Sequence, residues 1–119
     1  MSLTPPLVSD RFPYLPLTLT VRGAVFTCTA LLDTGFDGAI IVPEGFFPPS
    51  LRPSRDLLWT LADGSPILAP SWWGTAQLGT LPAIGATIVA LGNEFLIGRR
   101  VSDRYRIVLD RGQHLTVEP

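Results

Sequence analysis

Proline and glycine punctuation constrains this chain more than any other feature. Twelve prolines and eleven glycines are spread through 119 residues. Proline removes the backbone donor that a helix interior needs, and both residues favour turns, so the short apolar runs between them read as strands. Tyr14 to Val21 shows the pattern best: Leu15, Leu17, Leu19 and Val21 alternate with Pro16, Thr18 and Thr20, the period-two signature of a half-buried strand. Arg22-Gly23 is a turn, and Val25 to Leu32 returns as the second arm of a hairpin. Ala39 to Val42 is a short apolar strand. Four prolines make Pro43 to Arg55 a surface loop whose Phe46 and Phe47 tuck back onto the core. Leu57–Leu61 and Ile67–Leu78 are strands joined across Ala62-Asp63-Gly64-Ser65, and Ala83–Leu91 and Phe95–Gly98 are two more. Arg99 to Arg104 forms one or two helical turns. Tyr105–Leu109 and His114–Glu118 make a last hairpin. The expectation is one all-β domain over residues 1–119, with 1–12 as an N-terminal arm.

Composition narrows the function. Hydrophobic residues reach 46% and charged residues only 16%, against a usual charged share of about 25%. That excludes a disordered chain and is consistent with some surface being hidden in a partner. The net charge of -1 offers no basic footprint, so nucleic acid is not an expected partner. A single cysteine, Cys28, excludes a disulfide framework and a cysteine zinc cluster; it reads as a small apolar residue of the core. The single histidine, His114, reads as a surface or strand residue, and no serine sits in a nucleophile elbow. No cofactor and no metal are expected. Ala83 to Leu91, the longest mostly apolar run, is too short to span a membrane. Pro5, Pro6, Asp10 and Arg11 interrupt the stretch where a secretory signal needs an apolar core. A cytoplasmic protein without a membrane partner is expected.

One motif carries chemistry. In Ala30-Leu31-Leu32-Asp33-Thr34-Gly35 an apolar strand delivers an aspartate into a turn. An Asp-Thr-Gly tripeptide alone is a weak signal. Its position at the end of an apolar strand strengthens it, because a carboxylate emerging beside a core is partly desolvated and its ionisation becomes tunable.

The chain resembles the retropepsin-like aspartic proteases. Three features carry the resemblance, which runs from about Tyr14 to Val117. They are Leu31-Leu32-Asp33-Thr34-Gly35 after a hairpin, a glycine-tipped hairpin around Gly64 where the family has its flap, and Phe95-Leu96-Ile97-Gly98-Arg99 before a short helix. The resemblance implies a closed β-barrel with a flap hairpin and one short C-terminal helix. It also implies an aspartic endopeptidase acting on peptide or protein substrates. One Asp-Thr-Gly in so short a chain implies a homodimer, each protomer supplying one Asp33, with the interface formed by the terminal segments and the Asp33 loop.

Roles follow by position in the family's motif. Asp33, Thr34 and Gly35 are the catalytic triplet, with Thr34 bonding across the dimer axis and Gly35 admitting the substrate backbone. Phe36, Asp37 and the flap tip Asp63, Gly64 and Ser65 are expected to meet substrate. Gly98 and Arg99 are expected to support the site. Asp37 either pairs with Arg99 in a partly buried, bidentate bridge or is a turn residue before Gly38. Two departures stand out. Phe36 replaces a small residue of the retroviral enzymes, narrowing the cleft or lining a specificity pocket. The flap carries one glycine, and Pro66 stiffens an arm. Trp72 and Trp73 must face opposite sides of their strand, one in the core and the other at the cleft or the dimer interface. Two alternatives to an enzyme remain: a catalytically silent member of the fold that binds peptides, and a small β-barrel ligand binder with an accidental Asp-Thr-Gly.

Overall fold

The computed structural model describes residues 5–119. Along the chain run β1 (Leu7–Ser9), β2 (Tyr14–Val21), β3 (Ala24–Leu32), β4 (Ile40–Val42), β5 (Arg55–Thr60), β6 (Pro66–Leu78), β7 (Ile84–Ala90) and β8 (Leu96–Ile97). A short helix α1 (Arg99–Ser102) follows, then β9 (Arg106–Asp110) and β10 (His114–Glu118). The large sheet has the order β2-β3-β8-β4-β7-β6-β5, and β2 also pairs with β6. Six strands therefore return on themselves, which leaves few unpaired edges. β5 projects from this ring as the outer arm of a hairpin with β6. A second sheet, β1-β10-β9, lies beside it.

Alternation fills the interior. Leu15, Leu17, Leu19 and Val21 of β2 are all buried, and they meet Ile40 and Val42 of β4, Leu78 of β6, Ile88 of β7 and Ile97 of β8 in one core. Each such aliphatic side chain stabilises the fold by about 1.5–3 kcal/mol through burial. The proline-rich loop is pinned by aromatics. The rings of Phe46 and Phe95 lie 4.8 Å apart, Phe26 and Phe47 4.9 Å, and Phe47 and Trp72 4.7 Å. Buried Trp72 donates its indole N–H to the Leu51 carbonyl at 2.9 Å. Its neighbour Trp73 is 65% exposed, so the two indoles face opposite sides of β6 as alternation requires.

Two segments differ from expectation. Within the N-terminal arm, residues 7–9 form β1 and pair antiparallel with β10, Leu7 opposite Val117. Arg55, expected in the loop, opens β5 by pairing with Ser71, whose hydroxyl donates to the Arg55 carbonyl. Among the described residues no helix is long and apolar enough to cross a membrane.

Cys28 lies on β3, half-buried against the core. Burial pushes its thiol from 9.0 up to about 11, and burial also raises Tyr105, with Arg104 opposing. Both groups ionise more readily unfolded than folded. Their contribution to stability is therefore intact below about pH 9 and is lost as pH climbs towards 11. Urea midpoints measured across that range should fall, and Cys28→Ala should flatten the decline. A midpoint that rises above pH 9 would contradict this assignment.

Candidate active site

β3 delivers Asp33 to the surface, and β8 fixes where it arrives. β8 is wedged between β3, its parallel partner (Leu31 opposite Leu96, Leu32 opposite Ile97), and β4, its antiparallel partner (Ile40 opposite Ile97). The Asp33 N–H donates to the Ile97 carbonyl at 2.9 Å, so the ladder runs to the aspartate itself. Beyond it the backbone turns: the Gly35 N–H donates to Asp33 Oδ1 at 2.9 Å and the Phe36 N–H to the Asp33 carbonyl at 3.3 Å. This is a turn in which the aspartate side chain mimics a backbone acceptor. It orients one carboxylate oxygen and leaves Oδ2 without a partner in the described chain. Asp33 is half-buried, while Thr34 and Gly35 are exposed.

The loop is locked from beneath by α1. The first amides of a helix have no partner inside it. Here the Arg99 N–H donates to the Phe36 carbonyl at 2.8 Å and the Arg100 N–H to the Gly38 carbonyl at 3.0 Å, while the Gly98 N–H bonds the Ala39 carbonyl at 2.8 Å. Close approach makes Gly98 necessary: a Cβ there would collide with the Gly38 carbonyl oxygen and the Phe36 ring. Gly38 is similarly confined, by the rings of Phe36 and Trp59.

Phe36 therefore sits on two glycines and packs against Trp59 of β5, ring centroids 5.4 Å apart. Its ring braces the hairpin to the Asp33 loop. Trp59 escaped the sequence analysis. The signal was present, since Trp59 alternates with Leu57 on the same face of β5. Its indole N–H is buried and finds no acceptor among the described residues.

The hairpin tip forms a self-contained turn. The Leu61 N–H bonds the Ser65 carbonyl at 2.9 Å, the Gly64 N–H bonds the Leu61 carbonyl at 2.9 Å, and Gly64 has φ +87°. Asp63 Oδ1 accepts from both the Ser65 hydroxyl and the Ser65 N–H, and these bonds, the hydroxyl first, hold its carboxyl below the usual range. Asp63, Gly64 and Ser65 are all exposed.

Of the two readings of Asp37, the bridge to Arg99 is not formed. Arg99 instead donates to Asp103, one helical turn on, at 3.4 Å. Asp37 is exposed and borders a shallow depression with Arg99, Arg100 and Asp103. The i,i+4 spacing lets the local carboxylate win. Among the described residues no three His, Cys, Asp or Glu side chains gather as a metal site.

No family model and no curated protein matches the chain in sequence. Solved structures do match in shape. A retropepsin-like aspartic protease from Rickettsia conorii superposes with a TM-score of 0.51 at 17% identity, over 98% of this chain and 96% of that one. The simian foamy virus (mac) protease superposes with a TM-score of 0.50 at 19% identity, over 73% of this chain and 88% of that one. The fold is retropepsin-like and all-β.

Proposed function

We propose that the chain is one half of a homodimeric aspartic endopeptidase, with Asp33 of each protomer forming the catalytic pair. The observation that carries this reading is the placement of Asp33. In a retropepsin-like fold, the chain's one Asp-Thr-Gly ends β3 with one carboxylate oxygen oriented by Gly35 and an exposed Thr34-Gly35 surface beside it. A second copy of that surface would bring two carboxyls together. Like charges at such a distance cannot both ionise, so the pair holds one proton. The ionised member takes a proton from a water, whose oxygen attacks the peptide carbonyl carbon. The protonated member donates to the carbonyl oxygen as negative charge develops there. The carboxyl that took the proton from water gives it to the nitrogen, the other carboxylate takes back the proton from the former carbonyl oxygen, and the C–N bond breaks to release an amine and a carboxylic acid with the pair again holding one proton.

The other residues fall into supporting places. The Thr34 hydroxyl, which makes no hydrogen bond among the described residues, reaches across the dimer axis. Gly35 leaves room for a substrate backbone. The Asp63-Gly64-Ser65 tip covers the substrate, and Asp37 meets its backbone. Gly98 and Arg99 hold the loop through the α1 amides.

Sedimentation at micromolar concentration tests the reading, together with cleavage of a mixed peptide library. A species of twice the chain mass that cleaves peptides is expected. A strict monomer would remove the shared-proton mechanism. A dimer that binds peptides without cutting them would identify a silent binding module.

A further inference from the structure

A cavity of about 430 Å³ opens beside the Asp33 loop without including Asp33, Thr34 or Gly35. Its walls come from distant parts of the chain. Alternation along β5 sets Arg55, Leu57 and Trp59 on one side. Gly38 and Ala39 just before β4, the β6–β7 pair, Arg100 of α1 and Arg104 just beyond it complete it. Trp73 is the most exposed aromatic wall. Its indole lies against Gly85, where a Cβ would stand 3.0 Å from the ring, so the missing side chain lets the ring lie close to β7.

The charges are one-sided. Arg55, Arg100 and Arg104 line the cavity and no carboxylate does. The ion pairs among the described residues are Arg99–Asp103, Arg106–Glu118 and Arg111–Asp110, so none of the three is neutralised. Arg100 also borders the depression holding Asp37 and Asp103, yet pairs with neither. A third of the nine basic residues of an acidic chain thus converge on one hollow. Three guanidinium groups in one concavity repel one another unless an anion joins them, and the planar fork fits a carboxylate bidentately. Two indoles and a leucine supply rigid apolar surface for the stem that carries such a group. β5 is also the terminal strand of its sheet, bonded only to β6. Its free backbone edge can take an extended peptide, whose alternate side chains would then face the side of Arg55 and Trp59.

We propose that this cavity binds a glutamate or aspartate side chain of an extended peptide, making the chain selective for acidic segments at a distance from the scissile bond. Arg55, Arg100 and Arg104 take the carboxylate, and Trp59 and Trp73 pack on the adjoining stem. The selectivity for substrate rests on the protease reading; the binding does not.

The test uses the full-length Asp33→Asn protein, so that any cleavage at Asp33 cannot consume the probe, and follows tryptophan fluorescence. The probes are a decapeptide with two central Glu residues flanked by Leu and Val, its Gln counterpart, and sodium glutamate. The Glu peptide should bind about tenfold more tightly than the Gln peptide, and the advantage should shrink as salt rises. Arg55→Gln and Arg100→Gln should each remove most of that preference, Arg104→Lys should retain part of it, and Arg111→Gln on the distant β9–β10 turn should leave it intact. Equal binding of the two peptides, or a preference that survives Arg55→Gln combined with Arg100→Gln, would overturn the proposal. Sodium glutamate matching the peptide's affinity would overturn the peptide as occupant. Glu-selective binding by a chain whose wild type never cleaves would sink only the protease reading.

Discussion

Replacing Asp33 by Asn is expected to reduce peptide-bond hydrolysis by about a thousandfold or more while leaving the fold intact. The substitution is nearly isosteric. The Asn carbonyl oxygen can still accept the Gly35 N–H that Asp33 Oδ1 accepts at 2.9 Å, and the backbone bond to Ile97 is untouched. In the proposed dimer the carboxylate disappears from both protomers at once. No base remains to take a proton from water, and no shared proton remains for the developing oxyanion. The measurement is the cleavage rate of a peptide cut by the wild type, set beside thermal melts of both proteins. Equal rates would assign the activity to another group; a lost rate with a collapsed melt would mean that Asp33 holds the fold rather than the chemistry.

Gly98→Ala is expected to be the most damaging single methyl addition to the site. The added Cβ meets the backbone oxygen of Gly38, the Phe36 ring and the Phe36 carbonyl oxygen. Two of these are main-chain atoms that cannot rotate away. The loop must lift from α1, stretching the bonds from Arg99 to Phe36 and from Arg100 to Gly38. A loss of about 3 kcal/mol follows from overpacking of this kind, with a fall in melting temperature on the order of 10 °C. Because the lifted segment carries Asp33 at its other end, any activity should fall further than the melt explains. Unchanged stability in Gly98→Ala would show that the loop and helix are not clamped as described.

Much of this architecture was legible because it is local. β2 displays its core face as every second residue from Leu15 to Val21, and the turn after β3 is spelled out by Asp33-Thr34-Gly35. The short helix and the last hairpin follow from breakers placed between apolar runs. Other parts were hidden for physical reasons. β1 is three residues between Pro6 and Asp10, too few to show a period, and becomes a strand only because β10 offers it a ladder. Arg99 pairs with Asp103 one helical turn on rather than with Asp37 across the loop, a choice that family position does not encode. The contact between Phe36 and Trp59 was hidden because Trp59 lies on another strand, and ring packing across such a separation leaves no trace in spacing. The arginine-lined cavity is of the same kind: Arg55 and Arg100 become neighbours only after the sheet has folded.

The parallel pairing of β3 with β8 also sets when the site can exist. A hairpin such as β2–β3 closes on itself within microseconds, but a parallel partner must be brought from far along the chain, and the entropy of closing that loop is lost before any bond repays it. Asp33 has its backbone anchor only when Ile97 arrives beside it. During synthesis the aspartate leaves the ribosome long before β8, so a growing chain carries the motif without the geometry. The carboxylate is positioned late, by the same closure that completes the ring of strands, and a partly made or truncated chain lacking β8 carries Asp33 without the bond that places it.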